Sequence, residues 1–586
     1  MRFEMRSFAR YYYVFLFLFF PFLAISIGIG FVLHVPIGCL TLPLACIVYL
    51  LLCAGCAYIH KQPKKQLLFI PFAAVVTIGL SIVGSAAWSH TFDTSYDGQY
   101  YHEPAIVALS QGWDPLYRAE PRFSVPEPAI QALDAGSPKV MWSIEASIYS
   151  LTGSLNAATI VNPILCLIAL CFVYDCLRTL GLTHRSALLL AILSTGTILM
   201  IDQIFSFRED ALSYDMVLIG LASIGKLLRS NRHQATYLAC LATSLLFLAG
   251  MKLSNLYIFL GLLVAAGFVI QRKKLYRLRR VQLTVAGLCV SGILLLWNPY
   301  VTNIAHFHAY DYPYNQPVFA RSLRLTGVPA NIRHDNRFEL FYYGLFSASD
   351  LSDASTPSAY AHLKIPFSFD VADVSAEAQD DSKLVGGYGV LFSGIFLLCM
   401  VAIGYLALRK KTARDKRALG WVVVYTICAL VACLLEPIPN YARYNGQLYI
   451  LPIAILIAIM VLSHKSTFLK LMQWLIIGCL IINLVFDLFP AAINYGADFY
   501  TIDRQLSMLR ASNTTYRVHA PAFYSDYHEL QSFGVKIVVS PRPISCAQPI
   551  VLNGSAFTVL CATLHHAHQV PAITAPTSQT TSLRKN

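Results

Sequence analysis

Apolar runs dominate this chain, and the polar stretches between them are short except in three places. A helix crossing a bilayer needs about 20 mostly apolar residues. By that rule about thirteen segments qualify, near 11–33, 39–59, 67–88, 155–174, 186–203, 211–227, 236–251, 254–270, 281–297, 384–408, 418–435, 447–463 and 471–489. The pattern predicts an all-α polytopic membrane protein whose transmembrane domain covers residues 1–489. The first run follows Arg2, Arg6 and Arg10 and lacks a small-residue cleavage site, so it reads as an uncleaved helix rather than a removed signal.

The three long polar stretches are 89–154, 298–383 and everything from 490 onward. In the last of these, Gly534 to Pro541 reads as a buried strand with a proline stop, and Ala556 to Leu560 as its pairing partner. That predicts a small α/β appendage over 490–570. Residues 571–586, rich in Ser, Thr and Pro, read as a disordered tail. His565, His566 and His568 stand just before it, and a solvated tail is the favoured reading of them over a metal site.

Composition sharpens this picture. Hydrophobic residues make up 56% of the chain and charged ones 13%, with a mean hydropathy of +0.57. Soluble domains carry roughly 25% charged residues, so an ordinary soluble protein is excluded. The net charge of +13 would suit nucleic acid if it formed a patch. Instead it falls into short clusters between apolar runs: Lys61, Lys64 and Lys65; Arg272 to Arg280; Arg409 to Arg417. Cytoplasmic loops look like this under the positive-inside rule, so the expected partner is a lipid bilayer and no nucleic acid.

With the N-terminus placed in the cytoplasm, the first ten residues and the loops after every second run hold more than half of the 44 Lys and Arg. All three long polar stretches, and the C-terminus, are then exported. The cytoplasmic loops are too short for a nucleotide-binding domain, and none has a phosphate-cradling glycine loop. Of 15 cysteines, 13 lie in or beside apolar runs and behave as small hydrophobes, Cys53 and Cys56 included. Cys546 and Cys561 are the two in the C-terminal polar stretch, and an exported pair can form a disulfide.

Candidate chemistry concentrates in Ser95-Tyr96-Asp97-Gly98-Gln99-Tyr100-Tyr101-His102-Glu103-Pro104, directly after an apolar run. Two carboxylates, a histidine and three tyrosines at a membrane edge are costly to keep without a use. Asp97 and Glu103 are candidate bases, because a carboxylate at an apolar–aqueous boundary is expected to have a raised pKa. The tyrosines could stack on a sugar, and a loop merely anchored at the headgroups is the competing reading.

Asp97-Gly-Gln-Tyr-Tyr-His102 resembles the Asp-x-x-x-Tyr-His pattern of bacterial GT-C glycosyltransferases, multi-span enzymes that take sugars from polyprenyl-phosphate donors. Ser137-Pro138-Lys139-Val140-Met141-Trp142 and Tyr149 to Gly153 are similar to the return of that family's first outer loop. The resemblance spans roughly residues 1 to 490, and its motifs are short. It implies an active site on the exported face of the bacterial inner membrane, with inversion at the anomeric carbon. Asp97 would be the base, Glu103 the second choice, and His102 a supporting hydrogen-bonding residue.

Arg443, in Tyr441-Ala-Arg443-Tyr444, resembles the Arg-Tyr that opens a late outer helix in the family. A guanidinium grips phosphate in a bidentate fork, so Arg443 and Tyr444 are the expected donor-phosphate contacts. Lys252 is expected to join them, since a cation on the outer side runs against the charge trend; snorkelling to the headgroups is its alternative. Tyr101, Lys139, Glu209 and Asp210 are expected to contact the acceptor or sugar, with an Arg208–carboxylate cluster closing a helix end as the alternative for the last two. No cofactor is required by the pattern. Carboxylates such as Asp97 and Asp210 suit Mg or Mn, and metal dependence varies within the family, so this stays open.

The resemblance therefore implies a glycosyltransferase acting on a cell-surface glycan or lipid-linked acceptor. An oligosaccharide polymerase or ligase is the alternative, and a transporter a further one. A transporter would carry its ionisable residues near mid-membrane, whereas these gather at helix ends.

Overall fold

The computed structural model describes residues 2–59, scattered positions over 72–88, and residues 89–123, 128–349, 360–377, 383–408, 413–462 and 466–562, less positions 232, 350, 521 and 556–557. The chain is mostly helical. Among the described residues eight helices are long and apolar enough to cross a membrane. They are Tyr11–Val32, Asn156–Leu180, Asp210–Arg229, Gln234–Met251, Leu253–Arg272, Arg279–Phe307, Ala442–Val461 and Thr467–Ala511. Three shorter apolar helices, Thr41–Cys56, Phe392–Leu408 and Leu419–Leu435, match further expected spans.

The expected count of thirteen is not reproduced, and the reasons are local. The run 67–88 lies largely outside the described residues. The run 186–203 is two helices, His184–Thr195 and Ile198–Asp202, because Gly196 ends the first and Thr197 is extended. The run 384–408 is helical only from Phe392, since Gly386, Gly387 and Gly389 all take positive φ and make a tight turn ahead of it. Hydropathy counts apolar residues and is blind to such breaks.

The main core is an apolar cluster that runs from Tyr13 in the first helix to Leu560 in the C-terminal sheet, and a smaller second cluster gathers Val328, Ile332, Leu340 and Tyr441. Helix Asp210–Arg229 is central, packing on both Gln234–Met251 and Val161–Leu180. Leu253–Arg272 and Arg279–Phe307 turn most of their apolar surface outward, as a helix against lipid does.

Helix Thr467–Ala511 runs unbroken for 45 residues. At 1.5 Å per residue that is about 67 Å, more than twice the roughly 30 Å of bilayer hydrocarbon. The expected boundary at 489/490 therefore falls inside one helix, which continues beyond the apolar run into the C-terminal unit. The unit itself holds a four-stranded sheet in the order β2-β1-β4-β3, with β1 Tyr516–His519, β2 Ile537–Val539, β3 Ile550–Val551 and β4 Val559–Ala562. The two expected strands do not pair with each other. β1 lies between them, parallel to β2 and antiparallel to β4. Cys546 and Cys561 are joined in a disulfide. The three histidines before the tail, and the tail itself, lie outside the described residues.

Candidate functional site at the membrane-helix ends

The loop motif is helical from Tyr96 to Ser110, with one widened turn over Gly98–His102. Ser95 starts it: its Oγ accepts a hydrogen bond from Gly98 N at 3.2 Å, the work of a helix N-cap. Pro104 widens it. Proline has no N–H for the carbonyl four residues back and its ring crowds that carbonyl. The backbone instead closes by Glu103 N–H donating to Gly98 O. Such single wide turns recur at functional sites.

Asp93 anchors the turn, accepting from Ser95 N at 2.8 Å, Phe207 N at 2.7 Å and Ser206 Oγ at 3.1 Å. This leaves no room at Gly98. A Cβ there would collide with Asp93 Oδ2 and sit 2.6 Å from Ser95 Oγ. Asp93 was not among the residues expected from the sequence, because the pattern began two positions later.

Asp97 is the first side chain of the site. Its Oδ2 lies 2.8 Å from Arg443 Nη2, and the carboxylate keeps 26% of its surface exposed while Arg443 keeps 8%. The pair is thus built on buried protein and open on the carboxylate side. Arg443 sits in a one-sided turn, Ala442–Tyr449, held by Asn445 Nδ2 donating to Pro439 O and Tyr441 O at 2.9 and 2.8 Å. Tyr441 and Tyr444 stack at 5.4 Å, and the Arg443 guanidinium lies over both rings, 5.3 and 4.9 Å from their centres.

The second cation comes from the break between two helices. Lys252 is extended between Gln234–Met251 and the short turn Leu253–Asn255. Its ammonium pairs with Asp210 and lies 3.9 Å from the centre of the Tyr444 ring. Asp210 opens helix Asp210–Arg229, and Gln203 Nε2 donates to its other oxygen at 3.4 Å. Arg208, almost fully buried, adds a third positive charge within reach of Asp97 and His102. Tyr314, from the second long polar stretch, lies within electrostatic reach of Asp97, Asp210 and Glu209.

These charges reverse one expectation. Burial pushes the Asp97 carboxyl up, but Arg443 and then Arg208 pull harder, and it ends well below the ordinary carboxylate range. The expected rise ignored a cation that the fold supplies from far along the chain. His102 goes the other way: burial pushes its imidazole down to about 3, so it is neutral. Trp142 Nε1 donates to His102 Nδ1 at 2.7 Å, which fixes the ring and leaves the proton on Nε2. Tyr101 rides on that ring at 4.2 Å, and burial raises its phenol.

Asp97, His102, Tyr101, Arg443, Tyr444, Lys252 and Asp210 therefore converge. Glu209 is buried at the N-cap position of the same helix without a side-chain cap bond; burial and then Glu145 push its carboxyl up. Two expected members do not join. Glu103 is buried among Asp93, Glu529, Ser525 and Asp526, against the C-terminal unit, and burial raises it well above its usual range. Lys139 caps the end of helix Pro128–Gly136, donating to Ala135 O and Ser137 O at 2.9 and 2.6 Å. With its ammonium spent on carbonyls and lying over Trp113, it offers nothing to an acceptor. Sequence spacing could not tell that the helix turns Glu103 to the opposite side from Asp97.

The metal option also fails on donor chemistry. Asp97 and Asp210 each face a cation of the protein rather than each other, and among the described residues no group of three or more His, Cys, Asp or Glu side chains is placed to hold an ion. What the arrangement offers is an anion site: guanidinium and ammonium groups beside tyrosine rings, with one accessible carboxylate.

Fold and site together define a membrane-embedded, mostly helical protein with a small C-terminal sheet and a polar cluster at its helix ends. No protein-family model, curated protein or solved structure matches this chain.

Proposed function

We propose that this protein is a membrane glycosyltransferase of GT-C type that moves a sugar from a polyprenyl-phosphate donor to a surface glycan or lipid-linked acceptor on the exported face. The observation that carries this reading is the 2.8 Å contact between Asp97 and Arg443, with Lys252 alongside. It puts a carboxylate that can take a proton next to cations that can take a phosphate.

The resting pair explains how a low-pKa carboxylate becomes a base. A donor phosphate competes for the Arg443 fork. Once the guanidinium is shared, Asp97 loses the largest part of the pull that holds it ionised, while the burial that raises it remains. The acceptor O–H then attacks the anomeric carbon from the face opposite the phosphate, and its proton passes to Asp97. The bond from anomeric carbon to phosphate oxygen breaks as the new one forms, which inverts the centre. The leaving polyprenyl phosphate takes the bonding electrons and gains a second negative charge, which Arg443 and Lys252 stabilise, with the donor's chain in the bilayer. Tyr101 and Tyr444 wall the sugar, and His102 stays a neutral positioning residue.

The test is donor binding. In nanodiscs, undecaprenyl phosphate should raise the melting temperature of the native protein and leave that of Arg443→Gln unchanged. An equal rise in both proteins would remove Arg443 from the phosphate site and the reading with it.

A further inference from the structure

A cleft of about 400 Å³ opens beside the motif, between the irregular segment that leads into it and the long helix Thr467–Ala511. Its walls differ sharply in chemistry from the cation site. One wall is Asp93, Thr94, Ser95 and Ser206; the other is Asn494, Tyr495, Ala497 and Asp498, and Asp202 lines it too, paired with Lys383. Phe92, Phe205 and Tyr495 are its aromatic lining, and each packs against Phe499. Phe205 lies 5.3 Å from Tyr495 and 5.1 Å from Phe499, and Tyr495 stacks on Phe499 at 5.8 Å.

We propose that this cleft is the acceptor subsite, and that it takes an uncharged or amine-bearing sugar ring rather than a phosphorylated one. Three observations combine. The polar lining is hydroxyl, amide and carboxylate, the set that hydrogen-bonds sugar hydroxyls, beside rings that suit the apolar face of a sugar. Asp498 is its exposed acid, Asp202 is already paired with Lys383 at 3.1 Å, and no Lys or Arg is among the lining residues, so a phosphate finds no cation here where Arg443 and Lys252 would attract it. And it adjoins the turn that carries the reacting carboxylate: Ser95 lines the cleft and caps that turn, two residues before Asp97. The site is thus divided by charge, with anionic donor phosphate on one side and acceptor on the other.

The long helix acquires a role from this. Its segment past the apolar run forms one wall of the cleft, and Tyr495 OH ties it to Asp202 O at 2.6 Å. Acceptor recognition is then built by the same helix that leads into the C-terminal unit.

This inference rests on the transferase reading for the word acceptor, but its test needs no turnover. The full-length protein in nanodiscs is mixed with methyl hexosides and methyl 2-amino-2-deoxyhexosides, and binding is read by saturation-transfer difference NMR. Ala497 is exposed on the cleft wall, so Ala497→Trp fills the space without touching the core, and Ala497→Ser is the size control. The expected result is a signal from at least one glycoside with native, Ala497→Ser and Arg443→Gln proteins, and its loss with Ala497→Trp at an unchanged melting temperature. No signal with native protein, or an equal one with Ala497→Trp, overturns the subsite. Glycoside binding that is lost with Ala497→Trp, in a protein whose Asp97→Asn form leaves the surface glycan unaltered, upholds the cleft and overturns the transferase reading alone.

Discussion

Arg443 Nη2 and Asp97 Oδ2 are 2.8 Å apart, although one residue opens a late membrane helix and the other belongs to the first long polar stretch. Half-buried ion pairs of this kind are coupled, since removing one partner leaves the other desolvated and alone. Asp97→Asn and Arg443→Gln should each lower thermal stability in nanodiscs, and the double variant should lose less than the sum. A double-mutant cycle is expected to give a coupling of about 1 kcal/mol or more. Strict additivity would mean that the contact is not held in the membrane-embedded protein.

Gly98 is a steric requirement rather than a conformational one, because it is not one of the glycines with positive φ and other residues could follow that backbone. Gly98→Ala drives a methyl into Asp93 Oδ2. Overpacking typically costs ~1–3 kcal/mol, so a melting temperature several degrees below native is expected. Restoring space with Gly98→Ala/Asp93→Ala should not recover it, since the Phe207 and Ser95 amides would then lose their acceptor. A native-like Gly98→Ala protein would contradict the packing described for the motif.

Trp142→Phe deletes the donor that holds His102 Nδ1 while keeping most of the ring volume. Leaving a buried acceptor unsatisfied costs ~1–3 kcal/mol. Stability should fall by that amount, and turnover should fall with little change in donor KM, because the indole orients a positioning residue and touches no phosphate. A rise in KM at constant kcat would place Trp142 in binding instead.

The C-terminal unit is docked through acids. Glu103, Asp93, Asp526 and Glu529 face one another, and burial first, then the neighbouring acids, pushes Glu529 from 4.5 up to about 7. A carboxyl whose folded pKa is raised stabilises the fold fully below its unfolded value and loses that contribution as pH climbs through the folded one. Native protein should therefore lose melting temperature relative to Glu529→Gln between about pH 5 and pH 8. Parallel curves for the two proteins would rule the cluster out as the cause. His102 acts in the acid direction: with its pKa lowered to about 3 from 6.5, it costs stability only as pH falls below the unfolded value.

Much of this site was legible because polar residues in an apolar chain are conspicuous. Asp97, Lys252, Asp210 and Arg443 each break the local pattern at a helix end, and all four come together. The misses have physical causes. Glu103 is six residues past Asp97, but a turn widened by Pro104 rotates it toward the C-terminal unit, and no periodicity rule anticipates that. Lys139 looks like a free cation in sequence and is spent on helix-end carbonyls. Arg208 enters the sequence reading only in the alternative of a carboxylate cluster closing a helix end, whereas its burial within electrostatic reach of Asp97 makes it part of the site. β1 is four residues of alternating pattern, too short to stand out, yet it is the strand that β2 and β4 both pair with.

The central claim is that Asp97 serves sugar transfer, and the surface glycan records that directly. Cells carrying native protein or Asp97→Asn at matched membrane levels are compared by mass spectrometry of their surface and lipid-linked glycans. The account predicts a glycan lacking one sugar unit, with the unmodified acceptor accumulating, in the Asp97→Asn cells. An identical glycan in both would contradict it.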